Sequence, residues 1–450
     1  MERSRKNEGI FTALGAATGL GNALRFPSLC ALYGGAFLFA YAACLALVCY
    51  PLLCAELHLG KRYAQSFDNA LGMCAPKFKW LAYCAAANCA IIALYYGVIS
   101  AKLGGAFLHI AVTGGVGDIS GISLLAVGAL SITAVFLILH GAPNRLARTG
   151  KVAVISSLSL LAALLIAVFI KGGNAFAVFE FALSDFLRGG LWADALGQSL
   201  LALSLAGGVM PTFAHSLGRN FSVALTAIKI IAANLIGCLL AALSTLAFAL
   251  PVPEGGGVIV ALELYPRIIA TCFENAVAFR IFGMLFFLSL WLVSVQSACS
   301  LFSPALSLAP RKFRLLATAS ACFLAIILLP LFAANGGAAM LAVDRMACSV
   351  SAVIIAFIEA KIFSRPVYMC RRTQDLDKFT NISLRFFCPV ACGALALFSA
   401  CSARFSCYPP YASACAFASL VFIFSLPAVR LACIKISARS KYKIICHIKS

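Results

Sequence analysis

Charged residues are scarce in this sequence, and acidic residues are the scarcest among them. Only 11% of the 450 residues are charged, and 15 acidic side chains accompany 35 basic ones. No polar stretch is long enough to form a soluble domain. The chain is 63% hydrophobic with a mean hydropathy of +1.00, which is typical of an all-α polytopic membrane protein.

Metal-binding patterns are also missing. Of the 5 histidines, four lie near the ends of apolar segments, where we interpret them as ordinary polar positions rather than a proton relay. They are His58, His109, His140 and His215. The 20 cysteines lie mostly inside apolar segments, where cysteine packs as a small hydrophobic residue. Three closely spaced cysteine pairs have no histidine nearby, which argues against a zinc site. They are Cys84/Cys89, Cys388/Cys392 and Cys401/Cys407.

Long apolar segments, in contrast, recur along the chain and predict about twelve transmembrane helices. They cover residues 9–30, 35–60, 80–112, 120–140, 150–170, 191–215, 221–250, 276–306, 314–334, 337–363, 384–403 and 410–434. Basic residues concentrate in alternate loops, so these loops and both termini are predicted to be cytoplasmic. The net charge of +20 thus reflects topology in a plasma (inner) membrane and attraction to membrane lipid, and it does not indicate nucleic-acid binding.

The first apolar segment is interrupted by glycines and polar residues. Residues 15–27 read Gly-Ala-Ala-Thr-Gly-Leu-Gly-Asn-Ala-Leu-Arg-Phe-Pro. Glycine weakens a helix, and Asn22 and Arg25 are costly inside a membrane unless they face a cavity or a partner. A broken membrane helix is tolerated only beside a cavity or ligand, so we predict a discontinuous helix that holds an ion and a small solute. Close helix packing through Gly15 and Gly19 is the simpler alternative.

The sixth predicted span contains a second interrupted segment. Residues 197–208 read Gly-Gln-Ser-Leu-Leu-Ala-Leu-Ser-Leu-Ala-Gly-Gly. Broken helices in corresponding positions of two halves indicate the midplane site of a transporter, and five spans per half require that the halves be inverted. The predicted regions are a cytoplasmic N-terminus (1–8), spans 1–5 (9–171), spans 6–10 (191–364), peripheral spans 11–12 (384–434) and a basic cytoplasmic tail (435–450).

Several short motifs form one recognisable pattern between residues 9 and 364. They are Gly19-Leu20-Gly21-Asn22, Arg25-Phe26-Pro27, Gly34-Gly35-Ala36-Phe37, Leu59-Gly60-Lys61, Tyr95-Tyr96, Gly197-Gln198, Leu203-Ser204-Leu205 and Ser300-Leu301, with Glu56, Ser297, Asp344 and Glu359. This pattern resembles the neurotransmitter:sodium symporter family, whose bacterial members carry amino acids. The resemblance implies a LeuT-type fold, an inverted repeat of five plus five helices with breaks in helices 1 and 6. It also implies transport rather than an enzymatic reaction.

The resemblance further implies two sodium sites built from oxygen atoms at the helix breaks. The first would be formed by Ala17, Asn22 and Asn234. The second would be formed by Gly15, Thr18, Val293 and Ser297.

An amino-acid substrate would lie beside these ions. Its carboxylate would meet backbone amides at a helix N-terminus and a tyrosine hydroxyl. Those groups belong to Gly19, Leu20, Gly21 and Tyr96. Its ammonium group would meet the carbonyls of Ala17 and Leu201 and the hydroxyl of Ser204. Leu201 and Gly207 would leave a roomy apolar pocket for its side chain.

The family pattern also places a gate of Arg25 and Asp344 above the site, with Gln198 beside Arg25. Each assignment has a simpler alternative. Tyr96 could lie at the membrane interface. The hydroxyls of Ser204 and Ser297 could bond to their own helices, and Asn234 could join two helices. The gate charges could extend separately toward water. Glu56 is expected to bond to backbone amides of a broken helix.

Several positions depart from the family pattern. Leu201 replaces the aromatic lid over the substrate, and Gly207 replaces a second aromatic residue of the pocket. Ala202 and Gln296 stand where the sodium sites carry hydroxyl groups. Cys238 replaces both the serine of chloride-dependent members and the carboxylate of the independent ones, so chloride is not expected. Arg311 stands where the intracellular gate has an acid, and no tryptophan precedes the first span.

These observations predict sodium-coupled symport of an α-amino acid, with a large apolar side chain, across the plasma membrane. Gly19 favours a substrate with its own carboxylate, because amine carriers of the family place an aspartate there. The lost hydroxyls leave a proton-coupled or uncoupled exchanger as the alternative, and a non-transporting receptor as a further one. The sequence leaves open which amino acid is carried, how many ions accompany it and the oligomeric state.

Overall fold

The computed structural model is a bundle of helices. It describes residues 12–63, 65–115, 117, 121–141, 145–188, 190–214, 217, 221–248, 250, 260–365, 378–402 and 409–425. The predicted N-terminal region (1–8) and basic tail (435–450) lie outside these residues, as does the end of the last predicted span.

Twelve apolar helices follow one another along the described chain. They are α1 (residues 12–33), α2 (Gly35–Tyr63), α3 (Lys79–Thr113), α4 (Gly121–Leu139), α5 (Arg145–Ile170), α6 (residues 191–214), α7 (Val223–Leu246), α8 (Ala276–Leu308), α9 (Arg314–Ala333), α10 (Asn335–Phe363), α11 (Lys378–Phe398) and α12 (Pro410–Ser425). Nine of them are long and apolar enough to cross a membrane. The other three are the interrupted α1 and α6 and the shorter α12. Helices are expected here because lipid offers no partner for backbone polar groups.

The two interruptions lie where the sequence predicts them. In α1 the helix stops after residue 17 and resumes at Leu20. In α6 it stops at Ala202 and resumes at Val209. The first and sixth helices are therefore both discontinuous.

The scaffold around these broken helices is built on α3 and α8, the pair with the most extensive mutual packing. Gly104 of α3 allows the close approach, because a Cβ there would lie 2.9 Å from the ring of Trp291 on α8. The indole nitrogen of Trp291 also donates to the Ser131 hydroxyl of α4 at 2.9 Å. On the outside of the bundle large apolar side chains such as Ile166 and Phe323 are exposed, as expected of surfaces that face lipid.

Two structural features were not predicted from the sequence. A short helix, Tyr265–Cys272, lies between α7 and α8, where the sequence analysis placed a loop. Its Tyr265 hydroxyl donates to the carbonyl of Ala23 in α1 at 2.8 Å. The second feature is a set of π-helical turns inside α2 (Leu45–Cys49), α10 (Met346–Ser351) and α11 (Ser383–Phe387).

The π-helical turn of α2 explains how the peripheral helix α11 docks. Such a turn shifts the backbone pattern and leaves carbonyl groups without their usual intrahelical partners. The Ser383 hydroxyl of α11 donates to the Leu47 carbonyl. The Cys388 thiol, also on α11, lies 3.6 Å from the carbonyls of both Leu47 and Val48. Polar contacts inside the apolar layer thus hold α11 to the bundle.

Candidate functional site

The break in α1 lies directly against α8. The amide and hydroxyl of Thr18 both donate to the carbonyl of Leu14, at 2.7 and 2.8 Å, and so close the last turn before the break. Gly19 follows in an extended conformation. A Cβ at Gly19 would lie 2.9 Å from the hydroxyl oxygen of Ser297. Only glycine therefore fits here without displacing that hydroxyl.

The break in α6 is strained and is held by two other helices. Ser204 (φ 51°) and Ala206 (φ 57°) have left-handed backbone conformations, which cost about 1–2 kcal/mol for residues other than glycine. The Ser204 hydroxyl donates to the carbonyl of Ala16 in α1 at 3.0 Å. The Ala206 amide donates to the carboxylate of Glu56 in α2 at 2.9 Å, which is the kind of contact expected of Glu56.

A small pocket lies between the two breaks. It is lined by Ala16, Gly19, Gly21, Tyr96, Leu201, Ala202, Ser204, Ser297 and Leu301. This lining includes five residues assigned to the substrate from the sequence, which are Gly19, Gly21, Tyr96, Leu201 and Ser204. The remaining open volume is about 20 Å³, so a substrate must displace side chains to enter.

Gly207 does not add to this open volume. It is absent from the described pocket lining, and a Cβ at Gly207 would lie only 2.2 Å from the sulfur of Cys89 on α3. The space left by this glycine is therefore filled by a side chain that the sequence analysis did not single out.

The three residues assigned to the first sodium site come together beside the α1 break. The side-chain amides of Asn22 and Asn234 each lie 3.5 Å from the carbonyl oxygen of Ala17. The side-chain oxygen of Asn234 accepts from the Tyr41 hydroxyl at 2.8 Å. The side-chain oxygen of Asn22 is buried and has no hydrogen-bond partner among the described residues. A buried carbonyl-type oxygen with open lone pairs suits a hard cation.

The residues assigned to the second sodium site lie between α1, α5 and α8. Gly15 packs against α5, since a Cβ at Gly15 would lie 3.0 Å from the Cα of Gly150. Gly15 therefore allows close helix packing, which is the simpler alternative given for this glycine above. Val293 lies one turn before Ser297 on α8 and is buried. Within the described part of the chain the Ser297 hydroxyl oxygen is buried without a hydrogen-bond partner, so it does not bond to its own helix.

The predicted gate residues meet above the pocket. A guanidinium nitrogen of Arg25 lies 3.6 Å from a carboxylate oxygen of Asp344. The other Asp344 oxygen accepts from the Tyr95 hydroxyl at 2.6 Å, and Arg25 also donates to the Ser349 hydroxyl at 3.4 Å. Gln198 donates to the carbonyl of Gly21 at 3.1 Å and so ties α6 to α1.

A larger cavity, which we call the vestibule, opens beyond the gate. It has a volume of about 460 Å³ and is lined by residues of α1, α3, α6 and α10, among them Tyr33, Asp194 and Arg345. The Tyr33 hydroxyl donates to Asp194 at 2.8 Å. Tyr96 and Leu201 line both the vestibule and the small pocket. The vestibule therefore reaches down to the predicted substrate residues.

The positions that depart from the family pattern have other partners. The Gln296 side chain accepts from the Thr149 hydroxyl at 2.6 Å and donates to the Leu146 carbonyl at 3.3 Å. It therefore joins α8 to the start of α5. The Cys238 thiol lies 3.5 Å from the side-chain oxygen of Asn234. Ala202 contributes its methyl group to the pocket.

Two discontinuous helices that meet at a central pocket, with an ion pair in the wall of the vestibule above it, are the architecture of the LeuT-type fold. A solved structure, MhsT in complex with L-phenylalanine, superposes with a TM-score of 0.78 and covers 87% of this chain and 98% of that one at 22% identity. Residues 2–113 match the model of the Sodium:neurotransmitter symporter family. The resemblance of the sequence to this family and its LeuT-type fold are thus confirmed.

Related sequences agree with this assignment. An uncharacterized sodium-dependent transporter of Methanocaldococcus jannaschii is 26% identical over 73% of this chain and 74% of its own. The sodium-dependent neutral amino acid transporter B(0)AT2 of Pongo abelii is 35% identical over 21% of this chain and 13% of its own length. The human sodium- and chloride-dependent transporter XTRP3 is 36% identical over 20% of this chain and 16% of its own length. These proteins are transporters, and together with the apolar helices of this chain they indicate an integral membrane transporter rather than an enzyme.

Proposed function

We propose that this protein is a sodium-coupled symporter of an α-amino acid that works by alternating access. The observation that carries the proposal is the pair of buried oxygen atoms, on Asn22 and Ser297, whose lone pairs have no hydrogen-bond partner among the described residues. Both lie at the break in α1. Buried polar atoms are normally satisfied, and a sodium ion and a substrate would satisfy these two.

The amino-acid substrate is supported by the polarity of the pocket. Gly19 contributes no carboxylate, so the exposed amides of the α1 break and the Tyr96 hydroxyl are available to a carboxylate of the substrate. Leu201 and Leu301 supply an apolar wall, which favours an apolar side chain. MhsT, the structural relative, is complexed with L-phenylalanine, which supports a large side chain. Cys89 limits the space beside Gly207.

Sodium without chloride is the proposed ion requirement. Ser297, Gly15, Thr18 and Val293 supply the oxygen atoms of the proposed second site, which keeps its hydroxyl group at Ser297. At the chloride position Cys238 offers a thiol, bonded within a network of Tyr41 and Asn234. No described cation accompanies these three residues in that network. The network thus has neither the serine hydroxyl of the chloride-dependent members nor the carboxylate of the independent ones, which argues against a chloride site.

The proposed orientation rests on the basic loops. With both termini in the cytoplasm, the vestibule opens to the extracellular side of the plasma membrane. Sodium entering down its gradient would then drive the solute inward, with about 2.3 kcal/mol per charge for each 100 mV.

A proton-coupled or uncoupled amino-acid exchanger is the second candidate. It is favoured by Gln296, whose side chain is engaged by Thr149 and Leu146 of α5 rather than by the proposed second sodium site. Ala202 also lacks the hydroxyl group expected at the first site.

Uptake into proteoliposomes separates these functions. Labelled amino acids are screened with an inward sodium gradient, and then with a potassium or proton gradient of the same size. Sodium-driven accumulation supports the symporter, while exchange without sodium supports the alternative. Ser297→Ala should abolish most sodium-driven uptake. Ser289→Ala is the matched control, because Ser289 is buried on the same helix and its hydroxyl bonds to the Phe286 carbonyl at 2.8 Å.

A further inference from the structure

A buried phenylalanine lies against the α6 break, in a contact that the pocket, the ion sites and the gate do not use. The short helix Phe67–Cys74, which we call the loop helix, lies between α2 and α3. Its first residue, Phe67, has an exposed fraction of only 1%. A Cβ at Gly208 would overlap a ring carbon of Phe67, so the ring touches the backbone of the last residue in the break.

The loop helix lies at the end of the bundle opposite the vestibule. Helix α2 begins at Gly35, two residues after Tyr33 of the vestibule lining, and ends at Tyr63. Its 29 residues give a length of about 44 Å, which carries the chain across the membrane before the loop helix begins. Phe67 therefore reaches the break from the far side of the pocket, from a basic loop that is predicted to be cytoplasmic.

Gly208 is the residue at which the last part of α6 can turn. It has a φ of 72°, which glycine adopts about as readily as a negative φ. Val209 follows and begins the helix Val209–Ala214, which we call the inner half of α6. Movement of this half needs new backbone dihedral angles, and a few residues at the ends of elements absorb such changes. A ring packed against Gly208 restricts them.

The loop helix is attached to the scaffold rather than to α6. The carboxylate of Asp68, which is 6% exposed, accepts from the Tyr83 hydroxyl at 3.3 Å. It also lies 3.6 Å from the ammonium nitrogen of Lys79 and accepts from the Ser66 hydroxyl at 2.7 Å. Lys79 and Tyr83 belong to the scaffold helix α3. Phe67 is thus held by the scaffold, while the glycine that it touches belongs to a broken helix.

A thiol of the same scaffold lies just behind this contact. The sulfur of Cys89 on α3 fills the space beside Gly207, the residue before Gly208. Cys89 has an exposed fraction of 4%. Water that enters the break from the side of the loop helix would meet this thiol. Cys89 can therefore report whether the contact between Phe67 and Gly208 is closed.

We propose that Phe67 is a plug that locks the α6 break and closes the pocket on the side opposite the vestibule. The proposal rests on the proposed function, because it describes how one side is kept shut during alternating access. The inner half of α6 moves, and the solute leaves at that end, only when the ring withdraws from Gly208. Such a closure is apolar and needs no ion pair, in keeping with Arg311 at the position of the family's intracellular acid.

The test is the rate at which Cys89 reacts with a positively charged methanethiosulfonate, a reagent that reaches a thiol only through water. Sealed vesicles that hold the full chain are treated from the side of the loop helix or from the vestibule side, and the labelled peptide is quantified by mass spectrometry. In Phe67→Ala the rate from the side of the loop helix should rise at least about tenfold, because truncating a buried phenylalanine removes more stabilisation than a tenfold change requires. From the vestibule side the rate should not change.

Matched controls separate a plug from a general loosening of the bundle. Phe287→Ala removes a ring of 0% exposure from α8, ten residues before Ser297 and so about 15 Å along the helix from the α1 break. It should leave Cys89 as unreactive as in the unsubstituted protein. Cys299 of α8 is the internal reference, because its thiol is buried and lies 3.9 Å from the Val135 carbonyl. Its rate should not change in any variant.

The outcomes decide the plug separately from the proposed function. A rise confined to Cys89 and to the side of the loop helix supports the plug. An unchanged rate in Phe67→Ala, an equal rise at Cys299, or a rise from the vestibule side overturns it. If Phe67→Ala does not fold, Phe67→Leu carries the same comparison with a smaller expected rise. Sodium-driven uptake by the unsubstituted protein is measured separately, and its absence overturns the proposed function without altering the labelling result.

Discussion

At the scale of the residue, the Tyr96 hydroxyl is the most direct test of the proposed substrate site. Tyr96 lines both the vestibule and the pocket. Tyr96→Phe removes a donor to the substrate carboxylate, and a hydrogen bond to a charged group contributes about 1.5–3 kcal/mol. We expect the substrate dissociation constant, measured by equilibrium binding of the amino acid found in the uptake screen, to rise about tenfold or more. An unchanged constant would indicate that Tyr96 only packs.

Ser297 and Asn234 are expected to differ in their effect on sodium. The Ser297 hydroxyl has open lone pairs, whereas the side-chain oxygen of Asn234 already accepts from Tyr41. Ser297→Ala should therefore weaken sodium binding more than Asn234→Ala does. We expect only the second site to be in use, because it keeps its hydroxyl group at Ser297 whereas Ala202 lacks the hydroxyl expected at the first. The sodium dependence of uptake should then have a Hill coefficient of about one. A coefficient near two, or the opposite order of the variants, would contradict the assignment.

Arg25 and Asp344 should act as one unit. Removing one charge leaves the other unpaired, which is costly in a partly buried position. Their exposed side-chain fractions are 17% and 25%. Arg25→Gln and Asp344→Asn should each impair uptake, and the double change should cost less than the sum, with a coupling of about 0.5–3 kcal/mol. Uptake rate and substrate binding in all four combinations test this, and additive effects would show that the ion pair is not the gate.

The residue scale is also where the sequence was least informative. The breaks were predictable because glycines and polar residues interrupt apolar runs. Two other contacts were not predictable from the sequence. Cys89 fills the space beside Gly207, and Gln296 accepts a hydrogen bond from Thr149. Both depend on the direction of a side chain across an interface between helices far apart in the sequence. A local pattern carries no signal for such contacts.

At the scale of the element, α11 is held to α2 by its contacts with the π-helical turn of α2 (Leu45–Cys49). Ser383→Ala leaves the Leu47 carbonyl with one donor fewer. Hydrogen bonds between membrane helices contribute about 0.6 kcal/mol on average and about 1.7 at most, so a loss in that range is expected. Thermal stability in detergent should fall while the sodium dependence of uptake stays the same. Cys415→Ala, a half-buried thiol on α12, is the control, and equal stability losses in the two variants would argue against a specific role of the turn.

At the scale of the whole molecule, the all-helical fold and the breaks in the first and sixth helices followed from the sequence, because lipid permits few alternatives to apolar helices. The helix boundaries were less accurate. Helix α5 begins at Arg145 rather than at residue 150, since basic side chains can extend a helix beyond the apolar layer.

The proposed ion requirement gives a prediction for the complete transporter. Replacing chloride with gluconate on both sides of the vesicle should leave the initial rate of sodium-driven uptake unchanged, because Cys238 stands where chloride-dependent members of the family have a serine hydroxyl. Replacing sodium with potassium is the control and should abolish uptake. A loss of activity in gluconate alone would show that the thiol position accepts an anion.

The left-handed residues of the α6 break bear on how fast such a molecule can turn over. Ser204 and Ala206 hold their backbone conformations without the freedom of glycine, so the arrangement stores about 1–2 kcal/mol at each of them. That energy makes the arrangement of the α6 break described above less stable than an unstrained one would be. A conformation of low stability has a small barrier to leaving it. The free energy of binding ion and solute, rather than the stability of the backbone itself, then determines when the protein changes conformation.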